Sequence, residues 1–519
     1  MMEEDRKSVA DVEKTSGSYT EDVTAVNSPK YAEMERRHGR TDLVPVPSDS
    51  KTDPLNWPSW KKNVLLFIVA FHAMQGPFSA AIIIPAYQEL AAAFDVSLNK
   101  ITYLTSTQIV FLGVMPLIWA PISSRIGRRP VYLVSALLSA VFALAGGFTN
   151  SYGALMATRI LQAIFLAPPQ SIGASTVNEL FFSYQVCPPI PRIEVSLTLT
   201  AFSQKGQKMG VWVLLVTCGP ILGPVCAGYL VQYKGWRASL YLLAGIHFAL
   251  FFAHLAFGPE TLYPNRLAPG EKQHDEEEEV STFQQYFGFR VYRKGRIHFM
   301  EIIRPLFMVV RPVVLFPALA YAITFSYTNV LMTVYVPQLF GEIFHLEAGQ
   351  VSLQFLALLV GAVLGEQIAG FGSDKFVSWR TRQNGGVRKP ESRLAIAPIG
   401  FVLAIVGLIV WGVQLQNATV GKWNITPDIG SAIASFGQQV VTTVCVTYAI
   451  ESYHSEAADV SAFISFLRQI YAFTAPFYLP DAFLSMGDAG TCGLCAGLIF
   501  LGMLMTMACH VFGARWRGA

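Results

Sequence analysis

Three charged side chains stand where a hydrocarbon interior ought to exclude them. Arg159 occurs in Leu155-Met156-Ala157-Thr158-Arg159-Ile160-Leu161-Gln162-Ala163, Glu366 in Gly361-Ala362-Val363-Leu364-Gly365-Glu366-Gln367, and Arg468 in Phe466-Leu467-Arg468-Gln469-Ile470-Tyr471. Each lies in an apolar run long enough to cross a bilayer, where a charge costs about 2.5–3.5 kcal/mol at the centre on insertion scales. A buried carboxyl that can be cycled between its protonated and ionised forms makes Glu366 a candidate proton carrier or cation site, and its place late in its run equally fits a gate. Gln162 follows Arg159 at i+3, near enough on one helix face to bond to the guanidinium or line the same cavity. The alternative for Arg159 is a side chain that snorkels to the interface. Arg468 either attracts an anionic substrate or pairs with a carboxylate.

Polar groups elsewhere in apolar runs extend the set of substrate-binding candidates: His72, Gln75, Tyr327, Asn329, Gln354, Gln438 and Gln439 join Arg468. Phe and Tyr stripes at helical spacing are first of all packing.

These residues need elements to hold them, and composition says which. Of 519 residues, 52% are hydrophobic and 14% charged, with a net charge of only +3. That balance excludes a soluble multidomain enzyme and gives no reason to expect nucleic acid. Twelve apolar runs are read, at about 64–86, 102–122, 131–149, 153–177, 210–231, 238–257, 312–336, 350–371, 394–414, 429–449, 459–480 and 491–512. Each suits a transmembrane helix at about 1.5 Å per residue across a core of about 30 Å. The expected class is an all-α membrane protein with two six-helix halves, 61–258 and 312–512. Residues 1–60 read as a polar, disordered cytosolic tail, 259–311 as a charged central loop holding Asp275-Glu276-Glu277-Glu278-Glu279, and 513–519 as a short cytosolic tail. No secretory signal opens the chain.

Lys and Arg set the orientation. Arg125, Arg128 and Arg129 follow the second run, and Lys375, Arg380, Arg382, Arg388, Lys389 and Arg393 follow the eighth. The alternate connections offer Lys100, Lys234, Arg237 and Lys422. The imbalance puts both termini in the cytosol. Asn417-Ala418-Thr419 and Asn424-Ile425-Thr426 are then glycosylation candidates on the outer side. The seven cysteines are scattered, and Cys492-Gly493-Leu494-Cys495 has no second pair or histidine beside it, so neither a disulfide framework nor a metal site is expected.

The fifth run carries Gly219-Pro220-Ile221-Leu222-Gly223-Pro224-Val225-Cys226-Ala227-Gly228. Small residues every four positions leave a groove for another backbone, and each proline removes a hydrogen bond and bends the helix. The run resembles the fifth-helix motif of the drug:proton antiporter branch of the major facilitator superfamily, in which that helix packs between the two halves and goes with export. Ala120-Pro121-Ile122-Ser123-Ser124-Arg125-Ile126-Gly127-Arg128-Arg129 and Gly370-Phe371-Gly372-Ser373-Asp374-Lys375 resemble the superfamily's cytosolic signature and its second-half echo. Ser124 stands where the signature has an aspartate and Ala120 where it has a glycine; the first-half latch is expected to be weaker. Asp-Pro-x-Asn-Trp at Asp53–Trp57, Pro259-Glu260-Thr261-Leu262 and the Glu451–Glu456 link are similar to elements of fungal members.

From Asp53 to Phe512 this resemblance implies a twelve-helix major facilitator fold without ATP or other cofactor, driven by the proton gradient. It associates Arg159 and Gln162 with proton coupling, Glu366 joining them. It makes Arg125, Gly127, Arg128, Arg129, Asp374, Lys375 and Glu451 a cytosolic gate. The implied activity is proton-coupled export of small amphipathic compounds by a fungal plasma-membrane protein working as a monomer in lipid, the vacuolar membrane being the other location. Val336-Pro337-Gln338-Leu339-Phe340-Gly341 and Gly365-Glu366-Gln367 also resemble a fungal cation-permease branch, which keeps open the uptake of polyamines or other organic cations. Residues 183–204 do not fit the family's short link. Deleting Val186–Gln204 joins Gln185 to Lys205 in the usual connection, and the codons these residues allow suit an unspliced intron; a true surface loop is the alternative.

Overall fold

The computed structural model describes residues 43–44, 50, 53–181, 183–184, 204–263, 297–384, 389–453 and 456–518. The Asp275–Glu279 run lies outside them, as does the proposed intron Val186–Gln204 except for Gln204, which opens a helix.

Among the described residues the chain is helical apart from a two-residue antiparallel pair, β1 (Leu43–Val44) with β2 (Ser183–Tyr184). The first half comprises α1 (Ser59–Ala81), α2 (Tyr87–Phe94), α3 (Leu98–Ile126), α4 (Arg128–Gly147), α5 (Tyr152–Leu166), α6 (Pro168–Leu180), α7 (Gln204–Lys234) and α8 (Trp236–Phe257). After the short α9 (Phe299–Ile303), the second half comprises α10 (Pro312–Phe325), α11 (Leu331–Phe344), α12 (Ala348–Gln367), α13 (Ser373–Gln383), α14 (Glu391–Leu394), α15 (Ala397–Gln416), α16 (Thr426–Ser452) and α17 (Ala457–Trp516).

Ten of the described helical stretches are long and apolar enough to cross a membrane. The fourth apolar run divides into α5 and α6, because Pro168 and Pro169 open a new helix where the first one would need their N–H groups. The eleventh and twelfth runs are joined in the sixty residues of α17, which turns at Gly487. That glycine takes φ 71°, a conformation a side chain disfavours. Asp53–Trp57 departs from the tail expected through residue 60: Asp53 caps a 3₁₀ turn over Pro54–Asn56, and Pro54 and Leu55 are buried.

Two interfaces join the halves. Helix α7 packs along α1 in its own half and along α12 in the other, while α3 packs along α17. Gly219 and Gly223 make the first approach possible: a Cβ there would stand 2.7 Å from the Met74 carbonyl oxygen and 2.8 Å from that of Phe78. Gly228 does the same across the halves, where a Cβ would be 2.0 Å from Ser352 Oγ. On the other interface a Cβ at Gly113 would meet Gln469 Cβ at 2.5 Å. Pro220 and Pro224 lie within one continuous helix. The motif therefore has two faces, one binding α7 to its own half and one to its partner.

Candidate functional site

Arg159 is 1% exposed on α5. Its Nη2 donates to the carbonyl oxygens of Ser79 (2.8 Å) and Ala80 (3.3 Å), at the end of α1. Nη1 lies 3.4 Å from Gln162 Oε1, and Gln108 Nε2 donates to that same oxygen at 3.2 Å and to the Arg159 carbonyl at 3.1 Å. Arg159 is thus inside the first half and does not snorkel. No carboxylate lies within ion-pair distance of it among the described residues. Gln75, one turn before Ser79 on the same face of α1, is fully buried with both amide atoms unpaired.

Glu366 faces the first half from α12. Its Oε2 accepts from Gln439 Nε2 (2.6 Å) and Thr443 Oγ1 (2.9 Å), both on α16. Its Oε1 has no donor among the described residues and no sealed surrounding, and lies 3.8 Å from where a Gly210 Cβ would stand on α7. Gly365 lets α12 approach the Phe436 carbonyl of α16, which brings Gln439 to the carboxylate. A π-helical turn, Ile368–Gly372, follows directly. Gln438 donates instead to Thr442 Oγ1 at 2.9 Å, its Oε1 unpaired.

A second π turn, Ser326–Val330, separates α10 from α11 and aims Tyr327 at α17. Insertions of this kind recur at functional sites because the extra residue breaks the helical register. The Tyr327 hydroxyl bonds to those of Tyr471 and Tyr478, each at 2.9 Å. Asn329 is 1% exposed with both amide atoms unpaired. Arg468, one turn before Tyr471, is 8% exposed; Nη1 donates to the Tyr321 hydroxyl at 3.3 Å, and its plane lies over the Phe325 ring at 4.6 Å. It pairs with no carboxylate among the described residues.

Two candidates fall elsewhere. His72 bonds to His254 of α8 (3.0 Å) and approaches Ser135 of α4 (3.4 Å), so it is enclosed within the first half. Gln354 lies toward the start of α12 and donates to the Gln350 carbonyl of its own helix. His72 lies apart because its helix face, which composition leaves undetermined, turns it into the first half, and Gln354 because it stands three turns before Glu366 along α12, about 18 Å.

At the end of the molecule rich in arginine, Gly127 takes φ 98° between α3 and α4. Arg128 pairs with Glu179 (3.0 Å) and donates to Ser123 Oγ (2.6 Å). Arg129 donates to the His254, Leu255 and Gly258 carbonyls, while the Arg128 and Arg129 amides donate to the Glu260 carboxylate at 2.9 and 3.0 Å. In the second half Arg393 pairs with Asp374 (2.9 Å) and Glu451 (3.0 Å) and donates to Ser373 Oγ. Arg125 pairs with Glu301 of α9 at 2.8 Å. Lys375 has no ion pair among the described residues. Among the described residues the Ser124 hydroxyl bonds only to the Pro121 carbonyl in its own helix. Glu179 and Arg393 complete these clusters, and only the arginine's charge marked either in the sequence. A glutamate one residue before a helix end, three helices from a basic signature, was the signal available. Asn417 and Asn424 are exposed, Asn424 Oδ1 accepting from both the amide and the hydroxyl of Thr426.

A family model described as Major Facilitator Superfamily matches residues 67–476. The chain belongs to the Major Facilitator Superfamily. As a member it is a transporter and not an enzyme. Among the relatives of this superfamily transporter, "Efflux pump vrtL" of Penicillium aethiopicum is 25% identical, the alignment covering 99% of this chain and 98% of that one. "MFS antiporter QDR3" of Candida albicans is 23% identical over 99% of this chain and 87% of its own. The fold is that of the xylose transporter XylE from E. coli in a partially occluded inward open conformation: TM-score 0.62, 14% identity, 86% of this chain and 98% of that one. The Gly-Pro helix, the arginine-rich signature and its second-half echo therefore occupy a major facilitator framework, in which repeat-built folds place substrate between their halves.

Proposed function

We propose that this transporter exports small amphipathic organic compounds in exchange for protons, by rocking its two halves about the polar groups at mid-depth. The observation that carries the reading is Glu366, a buried carboxylate on the helix that packs against the Gly-Pro helix of the other half, with one oxygen held by α16 and the other left open. Protonation removes its charge and its hold on Gln439 and Thr443 as an ionic acceptor, so the α12–α16 contact responds to the proton. Arg159 rests on backbone carbonyls of α1 without a counter-charge and supplies the first-half member of the coupling pair. The names of the relatives, an efflux pump and an antiporter, support export. Uptake of polyamines or other cations is less well supported, because two guanidiniums, Arg159 and Arg468, are buried in the spanning helices without an ion pair among the described residues.

Taking α5 with α6 as one crossing and α17 as two gives twelve crossings, with both termini in the cytosol and the arginine-rich end facing it. The protein works as a monomer, in the plasma membrane or the vacuolar membrane. Reconstituted liposomes with an imposed proton gradient test the reading: solute moves against the proton, and Glu366→Gln abolishes gradient dependence while leaving exchange. Flux in the direction of the proton, or coupling unchanged in Glu366→Gln, overturns it.

A further inference from the structure

We propose that the pocket takes amphipathic organic anions, an apolar or aromatic body bearing one carboxylate-like group, and that Arg468 receives the charge. This deepens the export reading and rests on its placing substrate between the halves.

The charge balance comes first. Two guanidiniums, Arg159 and Arg468, are buried in the described spanning helices with no ion pair among the described residues, and the carboxylate of Glu366 bonds to Gln439 and Thr443 rather than to either. Arg159 spends Nη2 on the Ser79 and Ala80 carbonyls and Nη1 on Gln162, and its Nε is sealed in without room for a ligand. Arg468 spends one, on the Tyr321 hydroxyl. Its Nε and Nη2 have no partner among the described residues, yet neither is among the buried polar atoms sealed without one, so that edge opens on accessible space. Nε and Nη2 form the edge of the guanidinium that takes a carboxylate through two parallel hydrogen bonds. Phe325 at 4.6 Å and Tyr321 at 5.8 Å cover the plane and fix its direction. A buried cation held by rings, with its fork unspent, is completed by an anion from outside the chain.

The walls supply the apolar body's share. Tyr471 and Tyr478 follow Arg468 along one face of α17, tied at their hydroxyls to Tyr327. Phe477, nine residues after Arg468, is on the opposite face of α17, where it stacks on Tyr103 of the first half. A flat apolar ligand whose acid group meets Arg468 therefore lies along the Tyr471 and Tyr478 rings. A cationic ligand would bring a second positive charge beside Arg468.

Binding to the purified full-length protein, followed by intrinsic fluorescence near neutral pH, tests this with three probes of one shape: 2-naphthoate, 2-naphthamide and 2-naphthylmethylamine. Naphthoate is expected to bind at least about tenfold more tightly than the amide, a charge-assisted pair against a neutral one, and the amine most weakly. Arg468→Gln should remove the naphthoate preference and leave the amide unchanged; Arg468→Lys, which keeps the charge but not the fork, should restore part of it. Equal binding of the three, preference for the amine, no naphthoate binding at millimolar concentration, or an Arg468→Gln variant that weakens all three alike would each overturn the proposal. The ranking in the unmodified protein decides the charge class even if Arg468→Gln fails to fold. Flux under a proton gradient is measured separately, so naphthoate bound but not moved would remove the export reading and leave this one standing.

Discussion

Arg128 and Arg393 hold equivalent places in the two halves. Each lies at the start of its half's third crossing, donates to a serine hydroxyl from the end of the second (Ser123 at 2.6 Å, Ser373 at 2.9 Å), and pairs at 3.0 Å with a glutamate one residue short of the end of the fourth (Glu179, Glu451). The halves differ in the third acid. Asp374 adds a bond to Arg393, whereas its counterpart Ser124 contributes nothing to Arg128, and Glu260 instead binds the Arg128 and Arg129 amides. The latch expected to be weak is rebuilt from the end of α8.

Removing one partner of the first-half pair should be costly, because both side chains are nearly buried, 12% and 13% exposed. Glu179→Ala is expected to lose about 3–5 kcal/mol by leaving the Arg128 charge uncompensated, and Arg128→Met with Glu179→Leu to lose much less. Thermal unfolding of the purified variants checks the order; equal losses would show the pair does not act as one.

In the second half the two acids on Arg393 should not be equal. Glu451 is 14% exposed and Asp374 40% exposed, so Asp374→Ala is expected to cost within about 1 kcal/mol and Glu451→Ala clearly more. The same unfolding assay reads both, and a larger loss for Asp374→Ala would reverse the assignment.

Glycines on the two faces of α7 should fail differently. Gly223→Ala drives a methyl into the backbone of α1, an overpacking of about 1–3 kcal/mol that lowers stability whatever the halves are doing. Gly228→Ala meets Ser352 and the Ala348 carbonyl across the halves, and should part the end where Gln232 bonds to Glu347 and to the Gly349 amide. Cysteine labelling at Gln232 should rise in Gly228→Ala and not in Gly223→Ala, and Ser352→Gly should partly restore the contact.

Acid should release α9. Hydrogen bonding from Arg125, reinforced by its charge, holds the Glu301 carboxyl below the ordinary 4.5, with His298 adding to the same effect. A depressed carboxyl contributes stability above its unfolded value and loses it as pH falls through the folded one. Amide exchange in Phe299–Ile303 should therefore accelerate as pH drops below about 4.5 toward that lower value, and Glu301→Gln should show the fast rate already at neutral pH, each rate corrected for intrinsic exchange.

Much of the framework was legible before any coordinates. Apolar length located the crossings, since a helix that satisfies its own backbone is what lipid accepts. Gly219, Gly223 and Gly228 announced close approach, and Arg159, Glu366 and Arg468 stood out by their cost. Side-chain direction was not legible. His72 looked as suitable a ligand group as Gln439, yet one bonds to His254 inside the first half and the other to Glu366. The π turn that aims Tyr327 at Tyr471 and Tyr478 leaves no mark in the apolar pattern.

The sequence by itself determined that this chain is a helical membrane protein in two related halves, because hydrophobic length and charge placement act locally and survive in any packing. Only the tertiary structure decided that Glu260 binds the amides of the signature that lacks its aspartate, that Glu366 answers to Gln439, and that Arg468 keeps an open edge. Those are distances between residues far apart in the chain, and they follow from how each helix is rotated against its neighbours, which no single run of residues specifies.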